Sequence, residues 1–137
     1  MIAGKWTYRS YLNNPALIDG NPQKALANIF GEGTFTLAMP TPDTVAGTFD
    51  MGGGYLLDLQ GQVTIEGNGF EALKIAGLGR AGTPTEGWEY DYYAVPGYAW
   101  PAGVNQVASI VGTVLRAKPH NGGPAGLTAS FIAVRQP

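Results

Sequence analysis

The clearest signal in the chain is an alternation of period two between Tyr55 and Glu66. Tyr55, Leu57, Leu59, Gly61, Val63 and Ile65 fall on one side, and Asp58, Gln60, Gln62, Thr64 and Glu66 on the other. That pattern predicts a strand with one buried and one wet face. Residues 3–11 behave alike, with Trp6 and Tyr8 set between Lys5, Thr7 and Arg9. Gly33 to Met39 sets Phe35, Leu37 and Met39 against Thr34 and Thr36, and Thr44 to Met51 puts Val45, Gly47 and Phe49 on one side. Phe70 to Arg80 is a less regular fifth strand, and Gly87 to Val95 a heavily aromatic sixth. Val104 to Lys118 and Gly126 to Arg135 bring the expected total to about eight.

The links are turn chemistry, as in Pro40-Thr-Pro-Asp43, Met51-Gly-Gly-Gly54, Gly67-Asn-Gly69, Gly82-Thr-Pro-Thr85 and Pro119-His-Asn-Gly-Gly-Pro124. Short links favour hairpins between sequential neighbours. The exception is Asn13 to Asn28. There Pro22 to Asn28 is expected to form one helical turn, with Asn21 as N-cap and Pro22 in the first helical position. Consecutive strands in one small domain close into a barrel or stack as a sandwich. Gly47, Gly61, Gly77 and Gly112 interrupt strands where sharp coiling helps closure. The expected fold is therefore all-β: one domain over residues 1–137, a closed antiparallel up-and-down barrel of about eight strands.

Composition narrows what such a barrel does. Hydrophobic residues are 45% of the 137, enough for a real core, while charged residues are only 13%, about half the usual share. Net charge is −2 and no basic run exists, so nucleic acid has no electrostatic footprint. Cysteine is absent, which removes disulfides and thiolate chemistry. No stretch approaches ~18 uninterrupted apolar residues, so no transmembrane helix is expected. The first residues show no charged lead followed by an apolar run, so no signal peptide is read and a cytoplasmic location is expected.

Candidate chemistry is sparse. The single histidine, His120, sits in a Gly-rich turn and is read as a solvated turn residue; one imidazole cannot build a metal site. Neither a metal nor a cofactor is expected. The sixth strand is the richest segment. Trp88, Tyr90 and Tyr92 share one face; Glu89, Asp91 and Tyr93 share the other. Either the rings point into the core and the acids outward, or Glu89 and Asp91 point inward. In the second case desolvation would raise their pKa values and fit them for acid–base work. Tyr98 and Trp100 follow in a loop stiffened by prolines, with Asn105 just beyond. Tyrosine and tryptophan combine an apolar face with a hydrogen-bonding tip. Trp88, Tyr90, Tyr92, Tyr98, Trp100 and Asn105 are therefore the expected ligand-binding set, at the barrel end that carries the loop after the sixth strand.

Strands seven and eight are apolar on both faces, with Val107, Val111 and Leu115 opposite Ile110 and Val114, and Leu127 and Phe131 opposite Ile132 and Val134. A strand covered on both sides needs a partner outside the barrel, so a homo-oligomer is expected.

Gly4-Lys5-Trp6 opens the first strand, Tyr90-Asp91-Tyr92 lies in a late one, and Arg116 follows. This resembles the calycin barrels, the lipocalin and avidin groups. Lipocalins open on Gly-x-Trp, carry Thr-Asp-Tyr before a late strand and pack a later arginine across the tryptophan. Here Tyr90 stands where the threonine would be. The resemblance implies structural roles for Trp6 and Arg116, stacked on each other, and a cavity for a small apolar ligand. Binding such a molecule is the expected function. The alternative is a cofactor-independent isomerase or cyclase working inside the barrel on Glu89 or Asp91.

Overall fold

The computed structural model describes residues 2–137. Eight strands run in chain order: β1 (Gly4–Tyr11), β2 (Ile29–Thr41), β3 (Thr44–Asp50), β4 (Leu56–Ile65), β5 (Glu71–Gly79), β6 (Glu89–Pro96), β7 (Ser109–Arg116) and β8 (Thr128–Arg135). Each pairs antiparallel with the next, and β1 pairs with β8, closing the barrel. Two short helices, α1 (Pro15–Ile18) and α2 (Pro22–Ala27), fill the long link between β1 and β2. Both start as their sequences dictate. Asn14 accepts from Ala16 N, and Asn21 accepts from Gln23 N and Lys24 N, with proline in the first turn of each.

Strands are placed where alternation places them, with shifts at the ends. β2 begins four residues before the alternating stretch, and β7 begins at Ser109 rather than Val104, because residues 104–108 belong to a loop. Closure uses the interrupting glycines. A Cβ on Gly47 would collide with the Thr36 carbonyl, and one on Gly112 with that of Tyr93. Neighbouring strands approach closely there, and only glycine permits it.

The inward residues fill the middle of the barrel. Tyr8, Phe35, Phe49, Tyr92 and Phe131 are buried and meet one another with ring centroids 4.7 to 6.4 Å apart, mostly edge to face, the arrangement aromatic quadrupoles favour. The two barrel ends then differ. One end carries the β2–β3, β4–β5 and β6–β7 links. Trp6 closes it. The indole is 2% exposed and donates from Nε1 to Ile2 O at 2.9 Å.

The arginine that covers this tryptophan is Arg135, its guanidinium 5.4 Å from the ring, donating from Nη2 to Ala3 O at 2.6 Å. The expected partner, Arg116, is not there. It ends β7 at the opposite end of the barrel, whereas Arg135 ends β8 beside the start of β1, paired with Trp6. Gly4 makes room for this packing. Its φ is +140°, and a Cβ would lie 2.8 Å from Arg135 Nη2. No helix among the described residues is long and apolar enough to cross a membrane.

Candidate functional site

The second end of the barrel is open. Above the packed rings lies a cavity of about 290 Å³, walled mainly by Phe30, Met51, Tyr55, Trp88, Tyr90 and His120, with Tyr8, Phe49 and Tyr92 as its floor. That is close to the small end of the range for ligand pockets, roughly 300–1,000 Å³.

The walls are set by strand register. Tyr90 and Arg116 are cross-strand partners on β6 and β7, so both point inward at the same level. Trp88 lies just before β6, held by hydrogen bonds from its N to Thr85 O and from Gly79 N to its O, both at 2.9 Å. Phe30 arrives by a different route. The β1–β2 register slips between Ser10 and Tyr11, so Phe30 is the extra residue of a β-bulge. In uninterrupted alternation Phe30 would share the outer face with Glu32 and Thr34. The bulge turns its ring into the cavity, 6.1 Å from that of Tyr90.

His120 is not a solvated turn residue. Asn121 and Gly122, at φ +50° and +76°, make a two-residue reversal closed by His120 N to Gly123 O at 3.2 Å and Gly123 N to His120 O at 2.8 Å. The reversal folds the imidazole back over the barrel mouth. It stacks on Trp88, centroids 3.9 Å apart and planes 13° from parallel, and its Nε2 lies 2.8 Å from Tyr90 Oη. Among the described residues its buried Nδ1 has no hydrogen-bond partner. Burial, with the Arg116 charge adding to it, holds the imidazole below the usual histidine pKa.

A polar chain thus crosses one wall. Arg116 Nε donates to Tyr90 Oη at 3.2 Å. The Tyr90 hydroxyl has one hydrogen, and His120 Nε2 is the acceptor within reach. The tyrosine therefore donates to the histidine, and the neutral imidazole carries its own hydrogen on Nδ1. On the floor, burial pushes the Tyr8 and Tyr92 phenols far above their ordinary values, so both are neutral.

The expected ligand-binding set is divided by this geometry. Trp88, Tyr90 and Tyr92 meet at the cavity. Tyr98, Trp100 and Asn105 do not, because the loop after β6 lies at the Trp6 end. Tyr98 and Trp100 are 72% and 66% exposed, packed edge to face on each other, and Asn105 is an exposed left-handed turn residue. Glu89 and Asp91 face outward. They line a groove on the barrel exterior with Lys74 and Gln60, and Glu89 lies 3.7 Å from Lys118. Partial burial, with the Glu89 charge adding to it, raises the Asp91 carboxyl, but neither acid reaches the interior. Among the described residues no group of three or more His, Cys, Asp or Glu side chains is placed to hold a metal ion.

Alternation along the sequence sets Tyr55 on the dry side of its strand but does not assign it to the cavity, and it misses His120, Phe30, Met51 and the cavity role of Arg116. The Asn-Gly pair after His120 is the one signal that reports a fixed hairpin turn rather than a mobile one. Set against known proteins, the chain matches no family model, no curated protein and no solved structure.

Proposed function

We propose that the chain is a binding protein that takes one small, mainly apolar molecule into the open end of its barrel. The carrying observation is the contrast between the two halves of the interior. The middle is filled by interlocked rings, yet the mouth is a walled space of about 290 Å³ whose lining is aromatic. A fold under pressure only to pack would close that end as Trp6 closes the other. Three polar groups, Arg116, Tyr90 and His120, meet on one wall, as in pockets that orient a ligand.

Kinship with calycin barrels is supported by Gly4, Trp6 and Arg135, which together make the glycine–tryptophan–arginine packing that the resemblance implies. An acid–base enzyme built on Glu89 and Asp91 has no such support, since both carboxyls lie outside. We also propose that a second copy covers the outer face of β7 and β8, where Ile132 and Val134 are 38% and 37% exposed in a chain with few surface charges.

Titration with the neutral fluorophore N-phenyl-1-naphthylamine tests the binding reading. Saturable enhancement is expected from wild type, weakened at least tenfold by Trp88→Ala and unchanged by Trp100→Ala. No uptake by wild type, or sensitivity to Trp100 in place of Trp88, would overturn it.

A further inference from the structure

The cavity wall carries a charge that the fold does not balance. Arg116 is 8% exposed, with its guanidinium 5.8 Å from the ring centroids of both Phe30 and Tyr90. Among the described residues its one hydrogen bond is from Nε to Tyr90 Oη. Among the described residues, Nη1 and Nη2 have no hydrogen-bonding partner, and no Asp or Glu forms an ion pair with the side chain. Glu89, adjacent to Tyr90, is on the other face of the sheet with Lys118. The Arg116 side chain is largely buried, yet Nη1 and Nη2 are not fully buried and meet solvent only through the cavity; a cation so far withdrawn from water is ordinarily paired, because desolvation without compensation is costly. Here the pairing is missing on the side that faces the cavity. The neighbouring groups supply no negative charge: Tyr90 Oη accepts from Arg116 and gives its hydrogen to His120 Nε2, and among the described residues His120 Nδ1–H is buried without an acceptor.

We infer that the ligand is a small organic monoanion, a carboxylate or equivalent head on a flat apolar body, with the head on the Arg116 guanidinium and the body against Trp88, Tyr55 and Phe30. This rests on the binding reading above and names its ligand class. A guanidinium presents paired N–H groups that match a carboxylate in shape as well as charge. A phosphate dianion would bring a second charge into an apolar space that holds one cation. A neutral molecule would bury Arg116 further and leave it unpaired. An amine would meet like charge. The aromatic walls suit a planar body, since Trp88 already stacks flat on His120 and lies 6.1 Å from the Tyr55 ring.

Three ligands that share one body separate these cases: 2-naphthoate, 2-naphthamide and 2-naphthylmethylammonium, measured by isothermal titration calorimetry on the full chain at pH 7. Naphthoate is expected to bind roughly ten- to a hundredfold tighter than the amide, the range for hydrogen bonds to a charged group, and the ammonium weakest. Arg116→Met should remove that preference while keeping affinity for the amide. Gly123→Ala covers the case in which that variant does not fold. A Cβ there would overlap Arg116 Nη1, the flexible tip of its side chain, so the guanidinium moves and the backbone stays. The preference should then fall severalfold. If wild type binds amide and naphthoate equally, the anion assignment is wrong and the binding reading stands. A full preference that survives in both variants also overturns the assignment, because the anion then sits elsewhere. If none of the three binds, the binding reading falls with it.

Discussion

Tyr92→Ala separates a packed floor from a mere pocket lining. Tyr92 is 2% exposed and lies between the filled middle of the barrel and the cavity, with ring centroids of Phe35, Phe131, Tyr8 and Phe49 at 5.3, 5.7, 6.1 and 6.4 Å. Truncating a ring held on four sides leaves a void those neighbours cannot fill without leaving their rotamers. The cost should match other buried ring deletions, about 3–5 kcal/mol. For a domain of this size each kcal/mol shifts the melting temperature by roughly 3–5 °C, so a fall of roughly 10–25 °C is expected. Tyr92→Phe keeps the ring and should cost under about 1.5 kcal/mol. Urea unfolding followed by tryptophan fluorescence gives the free energies, and an unchanged m-value shows that the native state stays compact. The void would join the cavity, so Tyr92→Ala should still take up N-phenyl-1-naphthylamine and accept larger bodies than wild type does. A loss below about 1 kcal/mol would refute the packing argument, because the ring would not then be part of the interlocked core.

Trp6→Ala should destabilise by about 3–5 kcal/mol in the same urea assay, and Gly4→Ala by roughly 1–3 kcal/mol, since φ +140° is a region that side-chain-bearing residues avoid; no effect of either would place β1 wrongly. Because the folded-state pKa of His120 is depressed, its contribution is intact above the unfolded value of about 6.5 and is lost as pH falls through the folded value. Wild type should therefore lose stability relative to His120→Gln between pH 7 and 5, with a slope of at most about 1.4 kcal/mol per pH unit; parallel curves would show the imidazole is not held in the wall. Static light scattering at micromolar concentration should give a multiple of 14.4 kDa, and a single-chain mass would remove the β7–β8 interface.

The strands were legible because each has one dry and one wet face. Inside a barrel that alternation is enforced by sterics, so Leu57, Leu59, Phe35, Leu37, Val45 and Phe49 all point where their spacing says. The same rule decided β6. Trp88, Tyr90 and Tyr92 share a parity, and placing them outside would have exposed three large rings to bury two carboxyls. Phe30 was illegible for the complementary reason. A bulge adds one residue to one strand and reverses the parity beyond it, and nothing in Ile29-Phe30-Gly31 states that the pairing slips there.

The two arginines show a different limit. Parity gives the face of a residue but not its end of the barrel. In an antiparallel meander the end is fixed by direction: odd strands start where even strands stop. Trp6 is near the start of β1, so an inward arginine beside it must be at the start of an odd strand or the end of an even one. Arg135 ends β8 and qualifies; Arg116 ends β7 and does not. The same count separates Trp88, before even strand β6, from Tyr98 and Trp100, after it. It also places the turn after β7, and with it His120, at the end that holds Trp88. The composite wall of Trp88, Tyr90, Arg116 and His120 thus follows from strand parity, strand direction and one Asn-Gly reversal taken together. The cluster of aromatics from Trp88 to Trp100 is compact in sequence but spans the full height of the barrel, since an extended strand rises about 3.3 Å per residue and β6 alone is eight residues long. Proximity along a strand therefore argued for one site where the geometry allows only two opposite ends.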